Sequence, residues 1–134
     1  MDRRFERIRA VLGKEAHCTY KTALRFLDHL SKHLALPCQL AAAGVFPWED
    51  AYIEKGWDDP QYLALKADRP AFGDLFDLQE LLPPEKDQTD ILAEVIRCSD
   101  GKNFRIPLSQ LECTEFKSGN YPLLDDYRAW QGKS

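Results

Sequence analysis

Residues 91–108 read ILAEVIRCSDGKNFRIPL: two apolar-rich runs, 91–98 and 103–108, held apart by Ser99, Asp100, Gly101 and Lys102. A glycine in so short a linker supplies the positive φ that a tight hairpin turn needs, so the stretch reads as a β-hairpin. Pro107 has no N–H to give to a ladder, so the second strand ends there. The chain then turns through Leu108, Ser109 and Gln110 before a short closing strand over 111–116. Working back toward the N-terminus, FGDLFDLQELL (72–82) is a strand candidate, and PPEKDQTD (83–90) behind it is a polar loop with two prolines. CQLAAAGV (38–45) reads as a first strand. The texture after Pro37 is thus short apolar runs cut by Pro, Gly and Asp, the pattern of a small β-structure.

Helices flank this unit. Residues 2–12 place Phe5, Ile8, Val11 and Leu12 on one face and Arg3, Arg4, Arg7 and Arg9 on the other, with Gly13 as a stop. Residues 19–35 are a stronger helix: Tyr20, Ala23, Leu24, Leu27, Leu30 and Leu34 recur at helical spacing, Thr19 can cap, and Pro37 forbids continuation. Its outer face carries Asp28 and Lys32 at i,i+4. A last helix, 121–131, has Pro122 at its start and Leu123, Tyr127 and Trp130 on one face. Between the first two strands, residues 46–71 form an aromatic and acidic insertion, with a helical turn or two begun by Asp59 as N-cap and Pro60 at N1. The expected class is α+β. At 134 residues and 44% hydrophobic content, one domain over 1–134 is expected: a helical part at 1–36, a β unit with its insertion at 37–118, and the terminal helix.

The net charge of -4 is a poor summary of this chain. Residues 1–37 carry 8 Lys/Arg against 4 Asp/Glu, net +4, whereas residues 38–134 carry 10 against 18, net -8. Within 49–94, 13 acids meet only Lys55, Lys66, Arg69 and Lys86, net -9. Such a surface repels phosphate, which makes nucleic acid an unlikely partner and leaves Arg3, Arg4, Arg7 and Arg9 as the one place for it. Cations or basic partner surfaces suit it better. No apolar run approaches the roughly 18 residues of a membrane span, and MDRRFERIRA has no apolar segment behind it, so the expectation is a cytoplasmic protein without a membrane partner. Cys18, Cys38, Cys98 and Cys113 are widely spaced with no C-x-x-C, so reduced thiols are expected. There is no G-x-S-x-G, P-loop or G-x-G-x-x-G, and a non-enzyme is expected.

The order of these pieces resembles the cyanobacterial calcium-binding protein family, the CcbP-like proteins. The resemblance rests on Leu36-Pro37 before the first strand, Phe72-Gly73-Asp74, the loop 84–90, Ile106-Pro107-Leu108-Ser109-Gln110-Leu111-Glu112, and Asp125-Asp126-Tyr127-Arg128-Ala129-Trp130. It covers about residues 36–132 less 46–71, and departs in that insertion, in the basic first helix, and in Lys86 and Gln88 interrupting the acidic loop. It implies a small SH3-like β-barrel, flanked here by two N-terminal helices and a C-terminal helix, that binds Ca²⁺ through surface carboxylates rather than an EF-hand.

Calcium takes six to eight oxygen ligands in irregular geometry, so clustered Asp and Glu on loops are the side chains it needs. The candidates are Glu49 and Asp50 in the insertion, Asp74 and Asp77 on the second strand, and Glu85, Asp87 and Asp90 on the loop after it. Two carboxylates about 4 Å apart repel by roughly 4 kcal/mol at an effective dielectric of about 20, strain that a divalent cation converts to attraction. Asp74 and Asp77, three apart, face opposite sides of a regular strand and need a bulge to chelate together. No D-x-[DN]-x-[DN]-G loop is present, which excludes an EF-hand. The expected role is a calcium buffer or sensor. The competing readings are a solvated acidic surface that confers solubility, and a protein-interaction module in which Trp48, Tyr52, Trp57 and Tyr62 with their neighbouring acids recognise a basic partner. His29 and His33 stand at i,i+4, the spacing with which two imidazoles share a transition metal, but H-L-S-K-H lacks the Glu of H-E-x-x-H. Cys18 and Cys38, roughly 30 Å apart at about 1.5 Å per residue, cannot both join them. Solvent-exposed histidines are the expectation there.

Overall fold

The computed structural model describes residues 3–13 and 17–132, with side chains from Phe5 onward. The elements run α1 (Arg3–Leu12), α2 (Tyr20–His33), β1 (Gln39–Ala42), a 3-10 segment (Pro47–Tyr52), α3 (Pro60–Lys66), β2 (Leu75–Leu82), β3 (Leu92–Arg97), β4 (Asn103–Pro107), a 3-10 turn (Leu108–Gln110), β5 (Leu111–Cys113) and α4 (Asn120–Trp130). The class is α+β, as the hydrophobic patterning implied.

The 91–108 stretch forms the hairpin β3–β4, with Ala93 opposite Ile106 and Val95 opposite Phe104, and Gly101 at φ +75° in the turn. All five strands pair antiparallel in the order β4-β3-β2-β1-β5. Strands β4 and β5 are consecutive in the chain yet lie at opposite edges, joined only by Leu108–Gln110. A flat sheet would put those edges four spacings, about 19 Å, apart. Four Cα steps from Pro107 to Leu111 reach at most about 15 Å, so the sheet must curl. The two edges do not pair, and the expected closed barrel is instead a curled, open five-stranded sheet.

The concave side carries the core. Leu40, Phe76, Leu78, Ala93, Val95 and Ile106 alternate inward and share one buried cluster with Phe26 and Leu30 of α2 and Leu124 and Tyr127 of α4. Phe26 meets Tyr127 edge-on at 5.2 Å, the geometry that aromatic quadrupoles favour. Helix α2 begins where Thr19 Oγ1 accepts from the Thr22 N–H at 3.2 Å, satisfying one orphan donor. Helix α1 buries Ile8 and Leu12 and is tied to α4 by a bidentate Arg7–Asp126 pair at 2.7 Å. Phe5, expected on the same buried face, is 60% exposed.

Strand bounds moved inward. Strand β1 stops at Ala42, before Gly44; β5 stops at Cys113; and β2 starts at Leu75, because Phe72–Asp74 form a turn in which Asp74 accepts from the Ala71 N–H at 2.9 Å. A bulge separates the β2–β3 pairs Leu78/Val95 and Glu80/Glu94. It lies beyond Asp77, so it does not bring Asp77 round to Asp74. The 3-10 segment in the insertion was not anticipated, whereas α3 starts as expected, with Asp59 Oδ1 accepting from Gln61 and Tyr62 N–H at 2.9 and 3.3 Å and Pro60 behind it.

Candidate functional site

The seven carboxylates expected to bind metal fall into two groups. Three of them are already committed to the chain's own donors. Glu49 is fully buried, with 0% exposure. Its oxygens accept from Phe46 N–H at 2.9 Å, Phe72 N–H at 3.0 Å and Tyr62 Oη at 2.6 Å. It therefore ties the two ends of the insertion to α3, and burial together with this bond pushes the Tyr62 phenol far up. Asp74 accepts from Arg97 at 2.9 Å as well as from Ala71. Asp90 accepts from the Ser109 N–H at 3.2 Å, from the Ser109 hydroxyl, and from Tyr127 Oη at 2.8 Å. Tyr127 Oη in turn accepts from the Ile91 N–H at 2.7 Å, so Asp90 joins the loop, the 3-10 turn and α4.

The other four, Asp50, Asp77, Glu85 and Asp87, are exposed. Glu85 and Asp87 share the turn at 85–88, closed by Gln88 N–H to Glu85 C=O at 2.9 Å, with Asp87 at φ +64°. Asp50 lies in the insertion and Asp77 on the outer side of β2, opposite Gln39 and Ile96. Among the described residues no three Asp, Glu, His or Cys side chains converge on one point. A ready-made carboxylate cage for Ca²⁺ is therefore not what these residues build; the fit is limited to the Glu85/Asp87 turn, whose two acidic residues are exposed.

The most heavily hydrogen-bonded charged group among the described residues was not foreseen. Arg97 is 3% exposed and fully used. Its guanidinium donates to both oxygens of Asp100 at 3.0 and 2.8 Å, to Asp74 at 2.9 Å, and to the carbonyls of Lys66, Ala67 and Arg69 at 3.1, 2.7 and 2.8 Å. Those carbonyls belong to the end of α3 and the segment beyond it, so Arg97 caps that helix and clamps the insertion onto β3. Asp100 is held down at about 2, first by its hydrogen bonds from the guanidinium, with burial opposing. The signal was present in ILAEVIR: Ala93, Val95 and Arg97 share one parity, so an inward arginine follows two inward apolar residues.

The insertion's aromatics divide. Trp48, Tyr52 and Tyr62 pack together, with Trp48 stacked on Tyr62 at 5.3 Å and its Nε1 donating to the Pro70 carbonyl at 2.6 Å. Trp57 covers Tyr62 from outside at 5.1 Å and stays 46% exposed; Ile53, Leu63 and Phe72 are exposed as well. All four cysteines are free thiols, and burial beside Cys113 pushes Cys38 up to about 12, which leaves it inert. The side chains of Arg3 and Arg4, two of the four arginines on which a nucleic-acid contact would rest, lie outside the described residues. No helix among the described residues is long and apolar enough to cross a membrane.

No family model matches the sequence, and no curated protein does. Solved structures do. The crystal structure of Anabaena CcbP matches with TM-score 0.63 and 14% identity, covering 98% of this chain and 91% of that one. The chain has a CcbP-like fold. A calcium binding protein in its calcium-binding form matches equally, at TM-score 0.63 and 14% identity over 98% of this chain and 92% of that one. The CcbP-like architecture thus reaches the N-terminal helices, which the sequence resemblance over 36–132 had left out.

Proposed function

We propose that this chain is a small, non-enzymatic, cytoplasmic calcium-binding module that acts as a buffer or a sensor. The observation that carries the proposal is the likeness of fold, over 98% of the chain, to a protein described in its calcium-binding form. The strand order, and the 3-10 turn between β4 and β5, support reading the curled sheet as an SH3-like barrel left open at one seam. The same reading takes 1–134 as one domain.

Of the seven candidate ligands, the proposal rests on Glu85 and Asp87, with Asp50 and Asp77 as separate exposed carboxylates; Glu49, Asp74 and Asp90 hold the fold. Two carboxylates on one turn supply fewer oxygens than calcium prefers, the rest coming from carbonyls and water. That places affinity in the weak class, with Kd of about 10⁻⁴–10⁻³ M. Calorimetric titration of EDTA-treated protein tests it: a weak Ca²⁺ isotherm that disappears in Glu85→Gln/Asp87→Asn supports the site, and absence of heat at millimolar Ca²⁺ removes it. A buffer keeps its amide-exchange pattern on loading, whereas a sensor changes it.

A second reading draws on exposed Ile53 and Trp57, which alternate along the insertion with exposed Asp50, Glu54 and Asp58. Exposed apolar side chains interspersed with acids suit a basic protein partner. Acrylamide should then quench Trp57 in the free protein and lose that access when the partner binds.

A further inference from the structure

We propose that His29 and His33 form a two-imidazole chelate for a borderline transition-metal ion, Zn²⁺, Ni²⁺ or Cu²⁺. The site is separate from the calcium reading and uses none of its residues.

The geometry carries it. The two rings stand on successive turns of α2 with centroids 4.5 Å apart and planes 44° apart. With metal–nitrogen bonds of about 2.0–2.1 Å, the ion sits ~3.2 Å from each ring centroid. Two such vectors meeting at about 90° to 109° place the centroids ~4.5 to ~5.2 Å apart, so the observed spacing falls at the near end of the chelating range. The rings line an open cleft of about 540 Å³ between α1 and α2, with Ala10, Val11 and Leu24 on its walls, which gives an ion and its waters entry.

The rings are also prepared as ligands. His29 is half-buried, edge-on to Phe26 at 6.4 Å, so one imidazole is held by packing rather than free to rotate. Arg25, Asp28 and Lys32 also line the cleft: Asp28 pairs with Lys32 at 2.9 Å, the Arg25 guanidinium donates to the Leu12 carbonyl at 3.2 Å, and nearby Asp126 pairs with Arg7 at 2.7 Å. Among the described residues no third Asp, Glu, His or Cys completes the shell. Water fills the remaining positions, so selectivity follows the ordinary affinity order, with Cu²⁺ above Ni²⁺ and Ca²⁺ not bound there.

Calorimetry with Ni²⁺ on the full chain tests this, in a Cys18→Ser/Cys98→Ser background because both thiols are exposed and compete for the ion. One Ni²⁺ equivalent should bind, and His33→Gln should weaken it by more than about tenfold, since even loss of an outer-shell partner costs about 10–100-fold in metal affinity. His17→Gln should leave it unchanged. His29→Gln should match His33→Gln, but because His29 packs on Phe26 the exposed His33 is the deciding variant. Absence of a Ni²⁺ isotherm, retention of affinity in His33→Gln, or loss in His17→Gln instead would overturn the assignment. Asp87→Asn should leave Ni²⁺ binding intact, so failure here and failure of the calcium proposal are separate results.

Discussion

Replacing Arg97 by methionine keeps the inward stem of the side chain and removes every donor of the clamp. The change strands the Asp74 carboxylate, which accepts from Arg97 at 2.9 Å, and the Lys66, Ala67 and Arg69 carbonyls at 2.7 to 3.1 Å. Removing one partner from a buried, hydrogen-bonded ion pair costs about 3–5 kcal/mol. A domain of this kind has about 5–15 kcal/mol in total, so Arg97→Met should still fold, but weakly. At this chain length each kcal/mol moves Tm by roughly 3–5 °C, so thermal unfolding by circular dichroism should show a fall of roughly 10–25 °C. The loss should begin in the insertion, because the broken contacts join α3 to β3, and the tryptophan fluorescence of Trp48 and Trp57 should redden before the far-ultraviolet signal of the sheet collapses. Arg97→Lys should rescue little, since one ammonium has three donors and no fork with which to span Asp74, Asp100 and three carbonyls. A fall in Tm below about 3 °C for Arg97→Met, or loss of sheet and insertion signals in one step at the wild-type midpoint, would refute the clamp.

Three further outcomes follow from the same contacts. Glu49→Leu orphans three donors, Phe46 N–H, Phe72 N–H and Tyr62 Oη, at about 1–3 kcal/mol each, so guanidinium unfolding should show a loss of about 3–9 kcal/mol, with Glu49→Gln losing less than half of that. Because Asp100 is held down at about 2, its contribution is present above the unfolded carboxyl pKa of about 3.9 and lost as pH falls through about 2; stability curves of wild type and Asp100→Asn should differ at pH 6 and converge near pH 2. Asp90→Asn and Asp87→Asn should behave oppositely: the first lowers stability by about 1–3 kcal/mol through Tyr127 and Ser109 and leaves Ca²⁺ affinity alone, and the second lowers Ca²⁺ affinity with an unchanged unfolding midpoint.

What was legible in the sequence was what local chemistry decides. The β3–β4 hairpin follows from Gly101 and two alternating runs, α3 from Asp59 and Pro60, and the 3-10 turn from Pro107 closing β4. Closure of the sheet was not legible, because whether β4 meets β5 depends on curl accumulated over five strands rather than on any residue in either edge. The candidate site failed for a related reason. Charge and spacing mark Glu49, Asp74 and Asp90 as acids on loops, but the donors that consume them, Tyr62, Arg97 and Tyr127, lie 13, 23 and 37 residues away. The motif Phe46-Pro47-Trp48-Glu49 did hold a local hint, since a Glu three residues into a helical turn reaches back to the N–H of the cap. The His29/His33 pair was legible as spacing alone; that its rings stand 4.5 Å apart in a cleft, with one packed against Phe26, is a product of packing.

Thermal unfolding of one preparation in parallel with EDTA, Mg²⁺ and Ca²⁺ tests the calcium assignment most directly. At 10 mM Ca²⁺ and a Kd of about 10⁻⁴–10⁻³ M, linkage adds about 1.4–2.7 kcal/mol to the folded state. Tm should rise by several degrees with Ca²⁺, by less with Mg²⁺, and not at all in Glu85→Gln/Asp87→Asn. Superimposable melting curves in EDTA and in 10 mM Ca²⁺ would contradict the account.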